Sequence, residues 1–379
     1  MASPFEWRVK FKQGSTWYQL PDLNGVSMFR GRRQQIDDYS IDTMTLTSLF
    51  PSSWTTTPKL GDEVRAYIYK PGEVIGMDAF DAFWGRIRNV KIDYGMVPNE
   101  DRVTIECEGL QADWGRAQLN SFAIAQDRTD EQVLDVATEV GLTVAQTGGR
   151  SIASGQTYTG NAFAVINDIT RTEEARIYAY SATHLGAAVL AWYGRNVTDI
   201  TTYVFNDGTG TAAPLQLKYD GVQFRSTADN YYNEVTITPA AVAQQTASLG
   251  TTPVYGWQKD TLDATTGQAA DHAQYLLNNF QNTGQQVQEI TLTDVQQVPR
   301  YDTGQFNIDM VQVITSSITR RARIHFRGGT YRCVIEGVSV TAVPGVTRVT
   351  LYVSAEDTNA YLILDDAVYG RLDFNKLGY

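Results

Sequence analysis

Two stretches of the chain share one pattern of apolar positions. Residues 83–107 read FWGRIRNVKIDYGMVPNEDRVTIEC, and residues 331–353 read YRCVIEGVSVTAVPGVTRVTLYV. A regular strand repeats every two residues. Here Ile87, Val90 and Ile92 step by three and then two, and Ile335, Val338 and Val340 do the same. Each stretch changes face once at the same place, which predicts a β-bulge in both. A polar loop with one proline follows, Pro98 or Pro344. Arg-Val-Thr then opens an alternating strand, with Val103, Ile105 and Cys107 in one copy and Val349, Leu351 and Val353 in the other.

The echo extends upstream. Thr45-Leu46-Thr47 precedes a proline-containing loop and Gly61; Thr291-Leu292-Thr293 precedes Pro299 and Gly304. Thr and Val are common in strands, so coincidence is the alternative to a repeat. A true repeat means two similar β domains with different material between them.

The remaining elements follow in order. Phe5, Trp7, Val9 and Phe11 alternate with charged residues as a half-buried strand. Strands are expected at residues 17–20, 41–49, 62–69, 80–93 and 102–109. The cluster Arg30-Gly31-Arg32-Arg33 reads as a solvated loop paired with Asp37, Asp38 and Asp42. From residue 111 the pattern changes. Thr129-Asp130-Glu131-Gln132 forms a capping-box motif before a helix that Gly141 closes. Asn161 caps a second helix over 162–172, and residues 177–180 and 187–193 form a hairpin around Leu185-Gly186. Asn206-Asp207-Gly208 is a turn without calcium-loop spacing, and residues 234–238 form a strand. The stretch 239–253, small and polar with a proline at each end, reads as a linker or exposed arm. Thr265 caps a last helix with Ala269, Ala273, Leu276, Leu277 and Phe280 on one face. The fold class is therefore mainly β with an α+β insertion. Its divisions are a β domain at 1–110, a middle α+β domain at 111–245, a second β domain with a helix at 246–355, and a C-terminal arm at 356–379.

Composition narrows the function classes. The 379 residues suffice for two or three domains, and 42% apolar content supports real cores. A net charge of −11 argues against a groove that grips nucleic acid, though it suits a surface past which DNA slides. The two cysteines are far apart and imply no disulfide framework. Glu6, Arg8 and Lys10 interrupt any secretory signal, and the most apolar run, 185–192, is too short to span a bilayer, so no membrane anchor is expected.

Candidate chemistry is sparse. His184, His272 and His325 lie in separate segments without metal-ligand spacing. No nucleophile elbow or P-loop occurs. The acid pairs Glu173-Glu174 and Asp365-Asp366 read as solvated surface rather than as an acid/base couple. Asn196-Val197-Thr198 matches a glycosylation sequon, which matters only in a secreted eukaryotic protein. No catalytic residue, metal ligand or cofactor site is assigned, and an enzyme is not expected.

The last residues, YLILDDAVYGRLDFNKLGY, carry Leu364, Asp365, Gly370, Leu372, Leu377, Gly378 and Tyr379 in a pattern that resembles the C-terminus of minor tail proteins of long-tailed bacteriophages. Gly31-Arg32, Gly85-Arg86, Asn233-x-Val235 and Tyr255-Gly256 before Leu276-Leu277 are similar to the same family, whereas Trp257-Gln258-Lys259 replaces its usual arginine-rich stretch. The resemblance implies a baseplate or tail-tip hub, with two related tail-tube-like β-barrel or sandwich domains and a middle α+β region. It implies a homotrimer that presents six similar domains and continues a sixfold tube at the distal end of a virion tail. The implied partners are a distal tail protein, other tail-tip or fibre proteins and a tape measure protein, with DNA only in transit through the lumen. The alternative is a hexameric distal tail protein with an adaptor or carbohydrate-binding module, which makes the internal repeat a coincidence. A cell-wall hydrolase and an aromatic receptor-binding surface are weaker rivals.

Overall fold

The structure is a computed structural model that describes residues 6–49, 54, 56–69, 80–96, 101–149, 151–181, 185–194, 202–206, 216–225, 231–281, 286–293, 313–315 and 318–355. The C-terminal motif, the 196–198 sequon, Asp207-Gly208 and His184 lie outside these residues.

A 14-stranded sheet organises the chain. One path runs through Gln216–Lys218, Thr202–Asn206, Arg321–Phe326, Gly329–Val343, Leu23–Gly31, Thr43–Leu49, Arg102–Gly109, Phe80–Asp93, Glu63–Tyr69, Glu6–Gln13 and Thr16–Gln19. A branch leaves Gly329–Val343 through Val346–Ala355 and Gln286–Thr293 to Gly221–Arg225. The path has open ends, so among the described residues the sheet is not closed into the expected barrel.

Both predicted bulges form where the apolar spacing slips. Ile87 lies opposite Cys107 and Asn89 opposite Glu106, leaving Arg88 as the extra residue. Ile335 lies opposite Val353 and Gly337 opposite Tyr352, leaving Glu336 as the extra residue. Beyond the bulges, Val90 pairs with Ile105 and Val338 with Leu351. The next strand inward matches too, but in another register than the Thr-Leu-Thr echo predicts. Leu46 lies opposite Ile105 and Ile290 opposite Leu351, so Leu292 stands where Ser48 stands, two residues from the expected Leu46. A two-residue offset keeps the same face, so apolar spacing alone does not detect it.

One apolar core runs through the large sheet, from Val9 and Phe11 through Ile105 to Ile335, Leu351 and Val353. The insertion has its own core around α1 (Gln111–Arg116), α2 (Thr129–Val140) and α3 (Ala162–Glu173), with Trp192 buried among Val133, Ile166 and Ile177. The expected hairpin pairs Arg176–Ser181 with Ala188–Tyr193. The strands Thr202–Asn206, Gln216–Lys218 and Gly221–Arg225, which follow the hairpin, pair into the large sheet.

A third core lies under α4 (Thr266–Phe280), whose Ala269, Ala273, Leu276 and Leu277 pack on Val235 and Ile237 of a three-stranded sheet. Its edge strand, Gln245–Ser248, falls in the stretch expected to be a linker or exposed arm. This edge strand alternates polar residues outward and buries only Ala247 against the core, so its sequence carries little apolar signal.

Local capping mostly follows the sequence. Asn161 accepts from the Ala164 amide, Thr265 accepts from the Gln268 amide, and Gly141 closes α2 in the left-handed conformation. Thr129 is the exception. It is the first helical residue after Arg128, and its hydroxyl donates to Glu173 instead of capping.

Candidate functional site: a buried ionic joint

The two bulged units meet where Leu23–Gly31 pairs antiparallel with the second half of Gly329–Val343. Of the arginines expected in a solvated loop, Arg30 and Arg32 lie inside this joint, while Arg33 is exposed as expected. Strand alternation turns Val26, Met28 and Arg30 inward together, and Arg30 is only 1% exposed. Its guanidinium donates to the carbonyls of Ala82 at 3.0 Å, Ala179 at 2.9 Å and Ile314 at 3.3 Å. It also lies over the Trp84 ring, 4.8 Å from the centroid. One side chain thus ties the first β unit to the insertion hairpin and to residues 313–315.

Gly31 then turns the chain with φ of +85°, and its amide donates to buried Asp42 at 3.0 Å. A Cβ here would lie 2.4 Å from the Glu336 carbonyl oxygen, so this close approach of two backbones requires glycine. The turn places Arg32 Nε 2.9 Å from Glu336 Oε2. Glu336, fully buried, also accepts from Ser354 Oγ at 2.6 Å and has Arg176 at 3.8 Å. Burial pushes the Glu336 carboxyl up, but Arg32 and Arg176 outweigh it and hold it below the usual glutamate value. The Arg32 guanidinium stacks 4.7 Å from the Tyr39 ring centroid, and burial pushes the Tyr39 phenol up to about 12.

A second buried cluster locks the α4 module to α3. Glu173 and Glu174, expected to be solvated, are both buried and face different partners. Glu173 accepts from Thr129 Oγ1 at 2.9 Å and from the Ser151 amide at 2.8 Å. Glu174 holds Lys259 and His272 Nε2, the latter at 3.1 Å, while His272 Nδ1 lies 3.1 Å from Asp263. Burial pushes Glu174 up, but Lys259 and His272 outweigh it and hold the acid well below the usual range. Burial likewise lowers His272, yet its bonds to Asp263 and Glu174 prevail and raise it above the ordinary histidine value. An imidazole held at both nitrogens by carboxylates is an anchored cation rather than a free base. Between the two clusters lies a cleft of about 430 Å³ lined by Arg32, Tyr39, Asn167, Arg171, Trp257 and Lys259.

The chemistry of this arrangement is mechanical. Every acid named above faces a cation or a donor inside the protein. Cys107 and Cys333 are buried, and burial pushes the Cys107 thiol up, away from reactivity. His325 contacts Thr330 Oγ1 at 3.0 Å. Among the described residues no group of three or more His, Cys, Asp or Glu side chains is arranged to hold a metal ion. Sequence reading assigned no site residue and missed this joint. Its signals were the phase of Arg30 with Val26 and Met28, and the position of Glu336 as the extra residue of a bulge.

No protein-family model matches the chain, and no curated protein sequence matches it either. Solved structures do match in fold. The 43 kDa tail protein of prophage MuSo2 from Shewanella oneidensis aligns over 92% of this chain and 98% of its own, with a TM-score of 0.60 and 12% identity. A tail protein from Neisseria meningitidis MC58 aligns over 93% of this chain and 96% of its own, with a TM-score of 0.60 and 10% identity. The Escherichia coli c3393 protein, a type VI secretion component described as structurally similar to the phage T4 tail proteins gp27 and gp5, aligns over 92% of this chain and 77% of its own, with a TM-score of 0.53 and 9% identity. This chain has the fold of these tail and secretion-system proteins along nearly its whole length.

Proposed function

We propose that this protein is a structural, non-enzymatic hub at the distal end of a phage-type tail. Three copies present six similar β units as a ring that continues a sixfold tube and passes DNA through its lumen. The carrying observation is the pair of units with matched bulges and matched pairing, joined edge to edge within one chain. The full-length likeness in fold to phage tail proteins supports the same reading. The net charge of −11 suits a conduit that repels DNA rather than binding it.

In this reading the first tube-like unit spans residues 1–110. The second takes the sheet strands between 202 and 225 together with 286–355, because those strands pair with one another. The α+β insertion and the α4 module face outward and hold neighbours, a distal tail protein above and fibre or spike proteins below. The arm at 356–379 extends these contacts. Native mass spectrometry of the purified protein tests the copy number, with an assembly of three 42.1 kDa chains expected. An assembly of six would favour the hexameric distal tail protein.

A further inference from the structure

The internal repeat assigns partners to edges that the described residues of one chain leave open. On its outer side, the first half of Gly329–Val343 pairs with Arg321–Phe326, and its second half pairs with Leu23–Gly31. On its outer side, the first half of Phe80–Asp93 pairs with Glu63–Tyr69. Among the described residues, no strand pairs with the outer side of its second half, Asn89–Asp93.

The counterpart of Leu23–Gly31 in the second unit is Gly221–Arg225. Gly25 and Val26 lie opposite Thr47 and Leu46, and Gly221 and Val222 lie opposite Thr291 and Ile290. Leu46 and Ile290 occupy equivalent positions opposite Ile105 and Leu351. Among the described residues Gly221–Arg225 pairs only with Gln286–Thr293. Among the described residues each chain therefore carries one complete joint and the two separated halves of a second.

Burial marks the same edges. In the complete joint Val338 and Val340 are fully buried, and Ala342 is 4% exposed. Their counterparts Val90 and Ile92 are only half-buried, and Tyr94 is 76% exposed. Val26 and Met28 are buried, whereas Val222 and Phe224 are half-buried. An open edge flanked by incompletely covered apolar side chains is a template for another strand.

We propose that Gly221–Arg225 of one copy pairs antiparallel with Asn89–Asp93 of a second copy, repeating between chains the joint that Leu23–Gly31 and Gly329–Val343 make within one. This rests on the hub reading and names the surface that closes its ring. The intrachain register, Ala342 opposite Val26 and Thr341 opposite Ser27, carries over as far as Gln223, beyond which the pairing of Gly221–Arg225 with Gln286–Thr293 shifts by one residue. It sets Tyr94 opposite Val222 and Asp93 opposite Gln223. Each copy offers one edge of each kind, so the contact is head to tail, the type that forms a ring where the rotation between copies closes. Arg88 stands where Glu336 stands, so the buried Arg32–Glu336 pair is not repeated between chains.

The double variant Asp93→Cys/Gln223→Cys tests this joint. Both positions are exposed, and the native cysteines are buried. Directly opposed residues of an antiparallel pair have Cα atoms about 4.5–5.5 Å apart, within disulfide reach. Mild oxidation is expected to convert most of the double variant into a covalent trimer that reductant dissolves. Neither single variant does so, and Asp93→Cys/Arg225→Cys, two residues out of register, links at least tenfold less. A native-mass trimer that fails to cross-link would overturn the joint and leave the hub reading standing. A protein that stays monomeric at every concentration would overturn the hub reading and the joint with it.

Discussion

The bulges at Arg88 and Glu336 share a backbone geometry and differ in what surrounds them. Arg88 is 66% exposed in its side chain and pairs at the surface with Glu108 at 2.8 Å. Glu336 is fully buried between Arg32, Arg176 and Ser354. The same extra residue is a solvated charge in one unit and the anchor of the joint in the other. Backbone geometry follows from apolar spacing, whereas the energetic weight of a charge follows from what covers it. That cover comes from a strand some 300 residues away in sequence, as the Arg32–Glu336 separation of 304 shows.

The contrast has unequal consequences on mutation. Glu336→Gln leaves two buried arginines without their carboxylate and is expected to cost about 3–5 kcal/mol in denaturant unfolding. Arg88→Ala at the matching position should cost no more than about 0.5 kcal/mol. Equal losses would remove the distinction between the two bulges. A similar contrast holds for two glycines that share a φ of +85°. At Gly31 an added Cβ meets backbone at 2.4 Å, so Gly31→Ala should cost roughly 2–4 kcal/mol, from strain and displaced backbone together. At Gly345 nothing lies within 4 Å, so Gly345→Ala should cost only the strain, about 1–2 kcal/mol.

The α4 latch makes a smaller, pH-dependent contribution. His272 is raised in the folded state, so its contribution is full below the unfolded value of about 6.5 and is lost as pH rises through the folded value. Glu174 and Glu336 are lowered, so theirs is present above the unfolded value of about 4.3 and is lost as pH falls through their folded values. All three contributions coexist between those limits. Melting of His272→Gln should show a flatter decline above pH 6.5 than the parent. An unchanged slope would mean that His272 does not carry the latch. A local effect concerns the helix starts. Asn161→Ala should cost about 1 kcal/mol through loss of a cap.

Much of the scaffold was legible in the chain. The bulges, the hairpin around Leu185-Gly186, the caps at Asn161 and Thr265 and the closing role of Gly141 follow from local chemistry that acts within a few residues. What escaped was set by distant partners. Arg30, Arg32, Glu173 and Glu174 look like surface charges because charged side chains usually are. They are inside because cations, acids and carbonyls from other segments meet them there. The edge strand Gln245–Ser248 escaped for the opposite reason, since it buries almost nothing.

The proposed hub requires that a single chain supply two equivalent ring units. Cryo-electron microscopy of the assembled ring without imposed symmetry tests it most directly. Three copies forming six similar units are expected, with joints alternating between Leu23–Gly31 against Gly329–Val343 within a chain and Gly221–Arg225 against Asn89–Asp93 between chains. Six copies that each place one unit in the ring would contradict it.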